Sequence, residues 1–315
     1  MRAYIIRRLL SGIFILFFLS VITFIMLRVV PGDQASILCG LNCNEEGLRD
    51  LREQLGLNDP YHEQYLSWIG DLATGNLGDA TFNQQPLVET MKQRLPVTFE
   101  LLIITVLITI AIGVPAGIIS ALYRNSLGDY FVRIFAVMGL AVPNFWVATM
   151  VIFIPSELWG YSPPFGGAIS FFDDPWDNLR QFVPPATVLA LASAAGIMRL
   201  TRSSLLEVMR SDYIRTARSK GLRETRVVNR HALKNAMIPV ITVLGLQVST
   251  LLGGTVIIEF IFGLNGLGSL VFTALIRRDY QVVQSMTLYI GAVVILMNLL
   301  VDISYAWLDP RIRYS

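Results

Sequence analysis

Six stretches of this chain are each long and apolar enough to cross a lipid bilayer, and that feature removes nearly every soluble fold from consideration. A hydrocarbon core about 30 Å thick takes about 20 apolar residues per helix. Residues 9–30, 98–123, 131–154, 181–198, 237–262 and 282–301 meet or approach that length, with their charges at the ends. One Arg or Asp at a helix centre costs roughly 2.5–3.5 kcal/mol on insertion scales, while each Leu, Ile, Phe or Val returns about 0.3–0.6 kcal/mol. None of the six carries a charge at its middle. The expectation is an all-helical polytopic membrane protein with six transmembrane helices. The first span follows Arg2, Arg7 and Arg8 as a signal peptide would, but no small-residue cleavage site precedes Pro31, which predicts a retained anchor.

The charges sort by side. Segments 1–8, 124–133, 199–236 and 302–315 hold 17 Lys+Arg against 6 Asp+Glu, whereas the rest of the chain holds 8 against 17. The positive-inside rule makes the first set cytoplasmic and puts both termini there. The formal charge of +2 therefore reflects a separation across a membrane and not a nucleic-acid footprint. Cys39 and Cys43 fall on the outer side, where a disulfide is chemically permitted; a lone C-x3-C pair does not make a zinc site.

Several chemistries are excluded. No G-x-x-x-x-G-K-[ST] loop is present, so the chain does not cradle a nucleoside triphosphate in the P-loop manner. His62 lies outside and His231 on the cytoplasmic side, with no H-E-x-x-H helix and no nucleophile elbow. These features argue against an enzyme and imply no cofactor and no metal. Secondary transporters carry ionisable groups within the membrane and often inverted repeats. Here Glu259 and Asp302 lie toward span ends and no repeat is visible, so a transporter of this kind takes its energy from another subunit.

Outside the first span, residues 31–97 predict a small helical segment. Asn44 caps a helix carrying Leu48, Leu51 and Leu55 before Gly56 stops it. Asp59 and Pro60 open a second helix with Tyr61, Tyr65, Trp68, Ile69 and Leu72 at helical spacing. "TGNLGDA" (74–80) is a turn, and Pro86 begins a third short helix. This segment is either a lid on the spans or a platform for an extracytoplasmic partner. The second outer loop, 155–180, carries "YSPPFGG" and "FDDPW", which is turn chemistry. Pro115, Pro143 and the pair Gly253-Gly254 are breakers inside spans, which suit a bundle around an opening path or close helix contacts.

Between the fourth and fifth spans lie 38 residues, 199–236, far more than a connection needs. Asp212 is a good N-cap, Lys220 stands in the last turn, and Gly221 suits a left-handed stop. Together they mark a helix of about eight residues, roughly 12 Å long. Tyr213, Thr216, Ala217 and Lys220 share a stripe flanked by Arg215 and Arg218, a shape that fits a groove on a soluble partner with Tyr213 as anchor. A second basic helix, 224–237, carries Val227, Val228 and Ala232 on one face, with Pro239 breaking into the fifth span. The simpler use of these cations is to fix topology or to touch anionic lipid.

The whole pattern resembles the permeases of bacterial and archaeal ABC importers, in the dipeptide, oligopeptide and nickel branch. The residues that carry the resemblance run nearly end to end: "IRRLL" (6–10), "RVVPGD" (28–33), "LGLNDPYHEQYLSWIGDLATGNLGD" (55–79), "RLPVTFEL" (94–101), "VPNFW" (142–146), "RLTRSSLLEVMRSDYIRTARSKGL" (199–222), "GLGSLVFTALIRRDYQVVQS" (266–285) and "LDPRIRYS" (308–315). In such permeases the loop's coupling helix docks on the ATP-binding subunit, with the pattern E-A-A, three residues, Gly. Here Gly221 holds the Gly place, Arg215, Thr216 and Ala217 stand where Glu-Ala-Ala would, and only the Ala is kept.

The resemblance implies a type I importer permease fold in a bacterial or archaeal plasma membrane. It divides the chain into an N-terminal transmembrane helix (1–30), an extracytoplasmic segment (31–97), a five-helix domain (98–308) holding the coupling loop, and a tail (309–315). It implies four kinds of partner: a second similar permease, two cytoplasmic ATP-binding subunits, an extracytoplasmic substrate-binding protein, and membrane lipid. It implies a coupling role for Asp212, Tyr213, Arg215, Thr216, Ala217, Arg218, Lys220 and Gly221. Asn144, Gln247 and Glu259 are candidates to line the path. Within transport the rival substrate is nickel or another small solute; outside it, the rival reading is a membrane scaffold or receptor that recruits a cytoplasmic partner.

Overall fold

A computed structural model describes residues 2–308 apart from 31, 41, 42, 81–83, 162, 163 and 165, with side chains between Tyr4 and Asp302. Among the described residues every regular element is a helix. Five helices are long and apolar enough to cross a membrane, and a sixth span is counted if one sharply bent helix pair is taken as a single crossing. The chain divides into two compact units; among the described residues one holds those up to Val97 with Asn265–Leu299, the other Thr98–Leu264 with those from Leu300 to Leu308.

In the first unit α1 (Arg2–Val29) is followed by α2 (Gln34–Cys39), α3 (Glu45–Gln54) and α4 (Tyr61–Ala73). The caps are those the spacing predicts for α3: Asn44 Oδ1 accepts from Gly47 N at 2.9 Å, and Gly56 sits at φ +62° beyond its end. Asp33 caps α2, and a disulfide joins Cys39, its last residue, to Cys43. The aromatic stripe of α4 is spent on packing: Trp68 is buried against Phe24 of α1 and Leu288, with Tyr65, Ile69 and Leu72 around it. Arg28 donates to Gln64 Oε1 from Nε at 3.1 Å and Nη2 at 2.8 Å while its guanidinium covers the Phe24 ring. The segment after α1 is thus packed firmly on α1, an arrangement that serves a lid or a platform equally.

Two sequence expectations fail along the next helix. Pro86 does not begin a short helix; Leu87 begins α5 (Leu87–Leu122), which runs unbroken through Pro96 and Pro115. A proline removes one N–H and crowds one carbonyl, and in a bundle neighbouring groups re-satisfy the freed carbonyl, so the helix persists. Leu87 and Met91 of α5 then form the second core of the unit with Leu267 and Ala274 of α12 (Leu267–Ile276) and Val282, Val283 and Met286 of α13 (Tyr280–Leu308).

The second unit is organised around α8 (Pro175–Val208), whose apolar stretch is far more buried than that of any other span. Asp174 caps it by accepting from Trp176 N and Asp177 N, and Pro175 occupies the first turn, where a missing N–H costs nothing. Glycines on its neighbours permit backbone approach. A Cβ added at Gly117 would stand 2.6 Å from Thr201 Cβ and 2.7 Å from Met198 O, and one at Gly139 would stand 3.1 Å from Leu191 O. Gly253, for which a close helix contact is one of the two expected uses, faces open space, and Gly254 only touches Leu189.

The third predicted span is bent. α6 (Leu127–Ala141) and α7 (Asn144–Trp159) meet at 101°. Pro143 excludes the helical conformation from the residue before it, and Val142 is accordingly extended at φ −89°, ψ 127°. Of the three expected breakers only Pro143 interrupts a helix; Gly253-Gly254 lie within α11 (Leu233–Ile261), which also passes through Pro239. The loop between α7 and α8 is held by α8 side chains: Asn178 Nδ2 donates to Ile169 O at 2.7 Å, and Gln181 Oε1 accepts from Ile169 N at 3.0 Å. The 309–315 tail lies outside the described residues.

Candidate functional site

The loop between the fourth and fifth spans is built outward from the end of α8. Met209 to Ser211 turn the chain, with Ser211 Oγ donating to Val208 O. The helix that follows, α9 (Asp212–Ser219), is eight residues long. Its N-cap is Ser211, not Asp212; Asp212 lies one residue inside, ion-paired to Arg215 at 3.3 Å. The carboxylate still stands in the first turn, where the helix dipole favours it. Lys220 takes the C-cap position, and Gly221 at φ +74° ends the helix in the left-handed region.

One face of α9 is buried within the loop itself. Ile214 is wholly buried and Ala217 nearly so, packed with Leu205 of α8 and with Val227, Ala232 and Ala236. The stripe of Tyr213, Thr216, Ala217 and Lys220 is therefore split. Ile214 is the one large aliphatic residue on the helix, and burying it is worth about 1.5–3 kcal/mol, which sets the rotation of α9. Tyr213 is held at its tip: its hydroxyl accepts from Asn235 Nδ2 at 2.8 Å, so it is not a free anchor. Arg218 donates to Glu224 from Nε at 3.1 Å and Nη2 at 2.6 Å, which pushes its pKa further up. What α9 presents to solvent is Asp212, Arg215, Thr216, Ser219 and Lys220, with Tyr213 and Arg218 exposed but tied by their hydrogen bonds.

The second basic helix is not separate. Glu224–Arg226 (α10), a π turn over Val227–Ala232 and α11 form one 38-residue helix from the loop through the fifth span. Val227, Val228 and Ala232 are buried on one face, as the spacing predicts.

Beside the loop, Asp129 of α6 is fully buried and takes five donors or cations. Arg202 approaches with Nε at 3.0 Å and Nη2 at 3.2 Å, Asn125 N at 3.0 Å, Ser120 through its hydroxyl, and Arg133 Nε at 3.6 Å. The sequence hides this pairing because Asp129 and Arg202 lie 73 residues apart.

With the geometry in hand, the kinship is direct. The profile of binding-protein-dependent transport system inner membrane components matches residues 113–314, and that of the N-terminal part of the same components matches residues 1–102. The chain belongs to this permease family. It is 40% identical to the dipeptide transport system permease protein DppB of Alkalihalophilus pseudofirmus and 38% identical to the oligopeptide transport system permease protein AppB of Bacillus subtilis, covering all of both chains in each case. The fold is shared with the inward-facing MetNI methionine ABC transporter, at a TM-score of 0.58 and 17% identity over 71% of this chain and 98% of the other. The permease is thus a multi-pass inner-membrane protein of the type I ABC-importer fold.

The three candidate path residues of the permease do not form one cluster. Gln247 and Glu259 lie 12 residues apart on α11, about 18 Å along its axis. Glu259 is fully buried and accepts from Thr98 Oγ1 at 2.8 Å, so it has a structural partner. Gln247 is different: its Oε1 is buried without a hydrogen-bond partner. Leaving such an acceptor unmatched costs about 1–3 kcal/mol. Asn144 stands half-buried at the first turn of α7, just past the bend.

Proposed function

We propose that this permease forms half of the path by which an ATP-driven importer brings di- and oligopeptides into the cell. The names of its full-length relatives support the substrate class. In this reading the 199–236 loop and both termini are cytoplasmic, as the charge distribution favours. The chain comprises an anchor helix (1–30), an extracytoplasmic segment (31–97), a five-helix transport domain (98–308) and a tail (309–315). A second similar permease completes the path, two ATP-binding subunits hydrolyse ATP, and an extracytoplasmic binding protein delivers the peptide.

The observation that carries the reading is α9: a short helix whose apolar face is fastened to its own loop through Ile214 and Ala217, leaving Asp212, Arg215, Thr216, Ser219 and Lys220 outward. A helix so fixed transmits motion instead of absorbing it. Closure of the ATP-binding subunits around it would shift α8 and α11, and with them the path. Gln247, with an unmatched buried acceptor, is the best supported of the lining residues, since a peptide N–H would satisfy it.

The test is on the outward face. Arg215→Glu and Thr216→Trp leave the buried face untouched, so the permease is expected to insert and melt normally while losing co-purification with its ATP-binding subunits and most ATP-driven uptake. Normal uptake in both variants would refute the docking role. Stimulation of ATP hydrolysis by peptide-loaded binding protein separates the importer from a membrane scaffold, which gives none.

A further inference from the structure

Four arginines converge at one groove that the transport mechanism leaves unused. Arg124 follows the end of α5, Arg133 lies on α6, and Arg202 and Arg210 lie on and just past the last turns of α8. With Leu206 and Glu207 they line a cavity of about 560 Å³. Two carboxylates, Asp129 beneath and Glu207 at the wall, oppose four guanidinium groups, so the site keeps two positive charges in excess. Asp129 engages Arg202 and Arg133. Among the described residues no ion-pair partner is found for Arg124 or Arg210. Arg133 Nε stands 3.6 Å from Asp129, too far for a hydrogen bond, so its ion pair leaves hydrogen-bonding capacity unused.

The surroundings select the ligand. The groove lies where α5 and α8 end and α6 begins, just beyond the apolar stretches of these helices. The adjoining helix α6 exposes Leu127, Phe131 and Ile134, the first at 89%, an apolar flank that acyl chains would cover and a dissolved ion would not. Basic pockets at the ends of spanning helices suit anionic head groups, and guanidinium groups bind phosphate oxygens in pairs. We propose that this groove binds the phosphate of an anionic membrane phospholipid. Because Arg210 stands two residues before α9, the bound lipid would pin the α5–α6 turn to the segment that leads into the docking helix.

The proposal is tested on the purified full-length chain by native mass spectrometry, with phosphatidylglycerol, phosphatidylcholine and inorganic phosphate as the three probes. Phosphatidylglycerol is expected to bind well above phosphatidylcholine and to resist displacement by millimolar phosphate. Arg124→Gln and Arg210→Gln, which leave the Asp129 pairing intact, are each expected to weaken it roughly five-fold, and the double variant roughly 25-fold. Equal binding of phosphatidylcholine, unchanged affinity in the double variant, or displacement by inorganic phosphate would each overturn it. The single variants carry the same test should the double variant fold poorly.

Discussion

Arginine does two different jobs in this permease, and comparing them separates what holds the fold from what the fold presents. At the α6–α8 junction, Arg202 grips a fully buried Asp129 through two nitrogens, alongside Ser120 and the Asn125 backbone. On α9, Arg215 and Arg218 pair with Asp212 and Glu224 while remaining largely in solvent. The ion pairs look alike by distance; burial sets them apart. Removing one partner from a buried pair strands the other charge, whereas an exposed pair is replaced by water.

The comparison is broken most severely at Asp129. Asp129→Ala leaves Arg202 and Arg133 without their counter-charge, and is expected to cost about 3–5 kcal/mol, read as a fall in melting temperature or in membrane yield. Arg202→Lys sharpens the point, because lysine keeps the charge and loses the fork; a loss of about 1.5–3 kcal/mol is expected for the missing charged hydrogen bond. Arg218→Ala is the smallest effect. Its pair with Glu224 is more than two-fifths exposed on both sides, so the stability change is expected to stay below about 1 kcal/mol and to vanish near about 1 M salt. An Arg218→Ala loss as large as that of Asp129→Ala would erase the distinction.

Much of this was legible beforehand. The spans, the length of α9, the Gly221 stop and the inward face of Val227, Val228 and Ala232 all follow from local periodicity and turn chemistry. Pro143 was read as a breaker, though its 101° bend was not, since an angle depends on what each half packs against. Pro115 and Pro239 go the other way: local rules count a missing hydrogen bond as a break, and the bundle around it re-satisfies the freed group. Stripe spacing gives the wrong rotation for α9 because the lone aliphatic Ile214 outweighs it, and the Asp129 cluster is hidden because Arg202 joins the 120–133 stretch from 73 residues away. Long-range pairing leaves no periodic trace in a single sequence.

The helix from Glu224 to Ile261 has a mechanical meaning of its own. Thirty-eight residues rise about 57 Å, and near the base, over Val227–Ala232, the winding loosens by one residue. A rod anchored at such a wide turn works as a lever: five degrees of tilt there sweeps the far end by about 4 Å, several times the travel of the short arm beside α9.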